Sequence, residues 1–277
     1  MPELDDSGHA AEDVGGVAEG EPRSESAERE AETEPEADTH HQPQSIRLGD
    51  RVVFLGDPGQ GKSEGMLNLF AIYGGQRILI DVQDHYELGP AALAEQPPPL
   101  EVDDPREIDW QHRTIRYVPR RPGDRREMDA LHHAIFQRGD MLVAADELED
   151  IAPSQGGGPP PFVRKVLKQG RKIKVTFAGT SQRTAGIDLS ARNAEHACVF
   201  RLSEPDDLRA IAGRLGLSVY ELHQALNALG EHEYLRHDKG VLDERGRPLV
   251  IHMPALPAQA IEATRQHVIN PYYSHRG

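Results

Sequence analysis

The feature that most constrains this chain is the string Gly56-Asp57-Pro58-Gly59-Gln60-Gly61-Lys62-Ser63, lying between a short apolar run and a stretch with helical spacing. It satisfies G-x-x-x-x-G-K-[ST] at every position. Gly56, Gly59 and Gly61 let the backbone turn so that successive N–H groups point inward at phosphate oxygens. The positive end of the helix that follows adds to that field. Lys62 is long enough to reach the β- and γ-phosphates, and the Ser63 hydroxyl is a ligand for Mg²⁺. The string works only between a strand and a helix, and the flanks agree. Arg51 to Leu55 reads as a strand, and Ser63 to Tyr73 as a helix buried through Met66, Leu67, Leu69 and Phe70. The expected bound species are ATP and Mg²⁺, with Asp57, Pro58 and Gln60 as the remaining loop residues around the phosphates.

Beyond the loop, short β-rich runs alternate with helical stretches, the pattern of a parallel sheet with crossover helices. Strands are expected at Arg77 to Val82, Thr114 to Val118, Met141 to Ala145, Ile173 to Ala178 and Ala197 to Leu202. Asp124 is placed to cap a helix carrying Met128, Leu131, Ile135 and Phe136. Gln96 to Leu100 reads as a Pro-rich loop, Gln155 to Pro161 (QGGGPPP) as a flexible one, and Phe162 to Gln169 as a basic helix. Near the end, Ser218 and Glu221 make a capping box with Leu217 and Leu222 as its hydrophobic staple. The expected fold class is α/β: a P-loop core with a mainly parallel sheet flanked by helices. Its expected limits are residues 46–253, with an acidic tail at 1–45 and a C-terminal extension, 254–277, that shows no strong structure.

The carboxylates for hydrolysis are sought at the end of a buried strand beside the P-loop strand. The run Met141-Leu142-Val143-Ala144-Ala145 followed by Asp146-Glu147 supplies them. Asp146 would hold Mg²⁺ with Ser63, and Glu147 would polarise the attacking water. Glu149 and Asp150 are explained equally well as helix caps.

Net charge narrows the remaining classes once it is divided. Residues 1–44 carry fourteen Asp or Glu against two Arg, a net of −12 out of −15, so the rest of the chain is nearly balanced at about −3. The tail shows no apolar periodicity and reads as disordered. It is either an acidic interaction arm or a solvated segment of no specific role. Cys198 is the single cysteine, which excludes an intramolecular disulfide and a cysteine metal cluster and fits a reducing compartment. No apolar run approaches the ~18 residues of a membrane span. The expected location is the cytoplasm, or a host cytoplasm or virion for a viral protein.

The strand expected at Ile173 to Ala178 leads into Thr180-Ser181-Gln182-Arg183. Ligands of open α/β sheets bind at that carboxyl edge, where Gln182 would contact both the γ-phosphate and the lytic water. Arg171 falls at the opposite end of the strand, out of reach of its own nucleotide. It is either an arginine finger acting on a neighbouring subunit or a surface arginine in a basic run. Together, GDPGQGKS, LVAADE, GRKIKVTFAGTSQR and ARNAEHACVFRLSEPDDLRAIAGRLG resemble the HerA/FtsK superfamily of RecA-like, ring-shaped DNA-pumping ATPases, most of all the compact viral genome-packaging ATPases. The likeness spans roughly residues 48–236. It implies that Gln182 is the polar sensor, that Arg171 matches the arginine before the sensor strand, and that the assembly is a hexamer threading double-stranded DNA through a pore. The membrane spans of septal FtsK proteins and the barrel domain of HerA proper are not recognisable here, which points to a stand-alone motor.

Two basic clusters suit a phosphate backbone: Arg113, Arg116, Arg120, Arg121, Arg125 and Arg126, then Arg164, Lys165, Lys168, Arg171, Lys172 and Lys174. Each is explained equally well as a solvated face or as paired with Glu-rich neighbours. The stretch from Leu208 to Leu242 also has the outline of a winged helix-turn-helix with Tyr234 to Leu242 as wing. Its second helix lacks Lys and Arg, however, and the closing helices of an ATPase core account for it as well. The leading expectation is an ATP-driven double-stranded DNA translocase. The alternatives are a ring ATPase acting on protein cargo and a nucleotide-dependent regulatory DNA-binding module.

Overall fold

The computed structural model describes residues 43–270. In chain order, β1 (Arg51–Leu55) enters the glycine loop, and α1 (Lys62–Ile72) leaves it. Then come β2 (Gln76–Ile80), β3 (Glu87–Leu88), α2 (Pro90–Leu93), β4 (Leu100–Val102), β5 (Thr114–Tyr117), α3 (Arg125–Arg138), β6 (Met141–Ala145) and α4 (Leu148–Ile151). The second half holds α5 (Pro161–Ile173), β7 (Val175–Ser181), α6 (Leu189–Arg192), β8 (His196–Val199), α7 (Pro205–Leu215), α8 (Val219–Asn227), β9 (Tyr234–Leu242), β10 (Pro248–Met253), α9 (Ala258–Arg265) and β11 (Val268–Ile269).

One nine-stranded sheet runs β10-β9-β8-β1-β7-β6-β2-β5-β4. From β8 to β4 every pairing is parallel, and β9 and β10 add an antiparallel end. The central strands are buried on both faces, which is why they read as unbroken apolar runs. Alternate residues separate into two cores: Val53, Leu55, Ile78, Ile80 and Val143 on one face, and Val52, Phe54, Leu79, Leu142 and Ala144 on the other. Helices α3, α5, α7 and α8 cover the first face through residues such as Leu131, Val166, Ile211 and Leu222. The P-loop helix α1 covers the second with Met66, Leu67 and Phe70. Each such fully buried side chain contributes about 1.5–3 kcal/mol of transfer free energy.

The caps take the expected form. The Asp124 side chain accepts from the N–H groups of Arg126 and Glu127, and both halves of the Ser218–Glu221 box are formed. A buried cation fixes the far end of α1. Arg77, on β2, donates to the carbonyls of Phe70 (2.8 Å) and Ala71 (2.9 Å), to Thr114 Oγ1 (2.9 Å) and to Glu95 (2.6 Å).

The chain departs from the sequence reading in five places. The strand preceding the Thr180 cluster begins at Val175 rather than Ile173, because α5 continues to Ile173 and is ended by Lys174 in the left-handed region. Arg171 and Lys172 therefore occupy the last helical turn, where cations complement the helix dipole. Leu100, read as the end of a loop, opens β4 beside β5. The strand set does not finish at Leu202, since β9 pairs with β8 and β10 with β9. That register makes Tyr234 to Leu242 part of the central sheet and removes the wing of the winged-helix reading. The region after 254 is structured as far as it is described: α9 packs on α1 and β11 pairs with β3. The acidic tail lies outside the described residues up to 42. Within its expected span, Gln44 donates its N–H to Asp238 Oδ2 at 2.7 Å, so residues at the boundary dock on β9. Among the described residues no helix is long and apolar enough to cross a membrane.

Candidate nucleotide site

The glycine loop is held from both sides. Gly56 N–H donates to the Ser181 carbonyl on β7 (3.3 Å), and Asp57 N–H donates to the Arg201 carbonyl after β8 (2.8 Å). Gly59 (φ +77°) and Gly61 (φ +98°) need the left-handed region. At Gly61 a side chain would also meet the His232 ring, with Nδ1 at 3.2 Å from a Cβ. Lys62 is only 7% exposed and spans the loop to donate to the Asp57 carbonyl at 2.8 Å. Burial pushes its pKa below the usual lysine value, against the raising influence of Glu147, Asp146, Glu149 and Asp57.

The acidic pair follows β6, which is not the immediate neighbour of the P-loop strand: β7 lies between them. The expected adjacency is thus corrected, and for a physical reason. Placing β7 in the middle puts its polar end between the loop and the acids. Thr180 on that strand donates to Asp146 Oδ1, and its hydroxyl accepts from Glu147 N–H at 3.2 Å. Ser63 Oγ, at the start of α1, lies 3.5 Å from the same Asp146 oxygen. Gln182, just past the strand, donates its side-chain N–H to Glu147 Oε1 at 2.6 Å.

Glu147 adopts φ +54°, ψ +70° at the start of α4. A non-glycine residue there costs on the order of 1 kcal/mol or more, and the conformation turns its side chain toward Gln182. Burial first, and the neighbouring Asp146 charge second, raise its pKa to about 7. Glu149 does not cap a helix. Its Oε1 accepts from Ser181 Oγ (2.8 Å), Gln182 N–H (2.9 Å) and Arg183 N–H (2.7 Å), fixing the turn that presents Gln182.

Two contributors escaped the sequence reading. The Tyr86 hydroxyl donates to Asp146 Oδ2 from the loop after β2. Asn270, just past β11, lines the same cleft as Lys62, Tyr86 and Gln182. The run Asp81 to Tyr86 leaves a strand at the sheet's carboxyl edge, a signal that would have found the first; nothing local announces the second.

Arg171 is far from this cleft. It sits at the opposite end of the sheet, 66% exposed, and bonds Asp50 Oδ1 at 2.9 Å just before β1. The basic clusters fare differently. Arg116 is buried among Asp81 (2.7 Å), Glu101 (2.7 Å) and Asp84, and Arg120 pairs with Asp103 (2.9 Å), so the first cluster is not one cationic face. On and after α5, Arg164, Lys168, Arg171, Lys172 and Lys174 are exposed, while Lys165 lies over the Phe136 ring at 4.3 Å.

The residues present fit a magnesium-bound triphosphate. Ser63 and Asp146 supply hard oxygen donors facing one another, as Mg²⁺ requires. A Cβ placed on Gly59 would meet nothing within 4 Å, so the loop backbone there faces open space. The cleft is open to solvent and is lined by Lys62, Ser63, Tyr86, Asp146, Glu147 and Gln182.

No protein-family model matches the chain, and no curated protein does. Solved structures do. The genome packaging NTPase B204 from Sulfolobus turreted icosahedral virus 2, in complex with AMPPCP, aligns at TM-score 0.54 and 17% identity over 76% of this chain and 100% of its own. The fold is that of a P-loop ATPase. VirB4 of Thermoanaerobacter pseudethanolicus has the same P-loop ATPase fold, at TM-score 0.54 and 13% identity over 76% of this chain and 91% of that one. At these identities the likeness is one of fold.

Proposed function

We propose that this protein hydrolyses ATP to move double-stranded DNA as a ring-shaped homo-oligomer, in genome packaging or in the transfer of a mobile element. The observation that carries the reading is the convergence of Lys62, Ser63, Asp146, Glu147 and Gln182, from three different segments, on one cleft at the carboxyl edge of the sheet. Similarity of fold to the packaging NTPase B204 supports the choice of cargo. So does the row of exposed cations on and after α5, which suits sequence-independent contact with a phosphate backbone.

In this reading the backbone N–H groups of residues 59–63 and the Lys62 ammonium hold the β- and γ-phosphates. Ser63 and Asp146 hold Mg²⁺, which neutralises developing charge on the phosphate oxygens when bound. Glu147 orients the attacking water and takes up its proton on the carboxylate. A positioned base of this kind contributes about 10²–10⁴-fold. Gln182 keeps the Glu147 carboxylate pointed at the water and offers its amide to the γ-phosphate. Arg171 acts on the nucleotide of an adjacent subunit, a role worth about 10³–10⁵-fold where arginine fingers operate.

The test is the ATPase rate with and without duplex DNA, for the parent and for Glu147→Gln. A motor shows strong stimulation by DNA in the parent, and loss of turnover with retained nucleotide binding in the variant. DNA binding that is tight, salt-sensitive and indifferent to nucleotide, without stimulation, would turn the reading toward a regulatory module.

A further inference from the structure

Among the described residues, the contacts to Asp146 are uneven. Thr180 and Ser63 approach one carboxylate oxygen, and Tyr86 alone is bonded to the other. Tyr86 is 2% exposed and therefore holds a fixed direction. Its backbone N–H donates to Asp81 Oδ2 at 2.9 Å, and the next two residues form β3. Among the described residues that strand pairs with β11 alone, through Leu88–Val268 and Glu87–Ile269. The same C-terminal segment continues along α2: Gly89 N–H donates to the His267 carbonyl (2.8 Å), and Ala91 N–H to the Gln266 carbonyl (2.6 Å). On its other side, Thr264 of α9 accepts from Asn68 on the P-loop helix at 3.0 Å. Asn270 then reaches the cleft itself.

We propose that Tyr86 is a positioning residue for the metal-binding carboxylate of Asp146, and that the 258–270 segment holds Tyr86 in place, joining the P-loop helix to the metal side of the site. A phenol hydroxyl bonded to one oxygen fixes the carboxylate plane and leaves the other oxygen toward Ser63. The inference rests on the nucleotide-site reading above.

The experiment titrates Mg²⁺ into protein and a fluorescent ATP analogue, following binding rather than turnover. Tyr86→Phe keeps the buried ring and removes only the hydroxyl. It is expected to raise the Mg²⁺ concentration at half-saturation roughly ten-fold, the loss of one hydrogen bond to a charged group, with analogue affinity in EDTA and melting temperature unchanged. Gly89→Ala tests the strap. Gly89 has an ordinary extended backbone (φ −80°), but a Cβ there comes 2.5 Å from the Gln266 carbonyl oxygen, so the segment must shift. It is expected to move the Mg²⁺ half-point in the same direction by a smaller factor, again with analogue affinity in EDTA unchanged. An unaltered half-point in Tyr86→Phe, in an assay where Lys62→Ala abolishes analogue binding, overturns the positioning role and leaves the nucleotide site standing. Parent protein that gains no analogue affinity from Mg²⁺ overturns both.

Discussion

The side-chain amide of Gln182 donates to one oxygen of Glu147 across 2.6 Å, linking the ends of the two neighbouring strands β7 and β6. Each residue therefore orients the other. Gln182→Ala is expected to lower kcat by at least ten-fold and to raise the KM for ATP by a smaller factor, because the lost amide holds Glu147 toward the attacking water and also contacts the γ-phosphate. Glu147→Gln should lose nearly all turnover and still bind ATP. Steady-state kinetics with a parallel binding assay separate the two quantities. Equal loss of kcat and affinity in Gln182→Ala would assign it to substrate binding instead.

Arg171 and Lys62 lie at opposite ends of the sheet, so a finger role for Arg171 requires a second subunit. Arg171→Ala and Lys62→Ala proteins are each expected to be inactive. Mixed in equal amounts, they should regain a fraction of parental ATPase, because some interfaces then pair an intact P-loop with an intact arginine. A mixture as inactive as its components would return Arg171 to its local role as the partner of Asp50.

Arg77 is fully buried, and replacing it with Met strands Glu95 and two helix carbonyls. Breaking one side of such a pair costs about 3–5 kcal/mol. Near 2–4 °C per kcal/mol for a domain of this size, the melting temperature should fall by about 6 °C or more. The double variant Arg77→Met, Glu95→Leu is expected to recover part of that loss, measured as a coupling energy.

His132 is fully buried, with Nδ1 donating to the Met128 carbonyl at 2.8 Å, and among the described residues Nε2 has no partner. Burial lowers its pKa to about 4 from 6.5. The unfolded chain therefore binds a proton between those values that the folded one does not. Stability is full above about pH 6.5 and falls as the pH drops toward 4, by on the order of 3 kcal/mol. Denaturant unfolding of parent and His132→Leu across this window should show the parent's acid loss reduced by about that amount in the variant.

The structure is legible in the sequence where local chemistry dictates it. The glycine loop, the apolar strand before Asp146 and the caps at Asp124 and Ser218 need only their neighbours to be recognised. It is not legible where a partner distant in sequence decides. Leu100 becomes a strand because β5 is beside it. Tyr234 to Leu242 joins the main sheet because β8 offers an edge, and the Val268 region is ordered by Glu87 and Leu88. Glu149 looked like a helix cap because the three donors it serves lie more than thirty residues away. Tyr86 was missed for the same reason: its partner Asp146 is sixty residues on.

All seven residues of β7 are buried, and the strand stands between the phosphate loop and the acidic pair. The two halves of the site are thus measured against a common ruler rather than against each other. The helix α4 rests directly on the strand's face at Gly179, where a Cβ would lie 2.6 Å from a methyl carbon of Leu148. A larger side chain at 179 would lift Leu148, and with it the adjoining Glu147, off the strand, moving the water side of the site without altering a single reactive group.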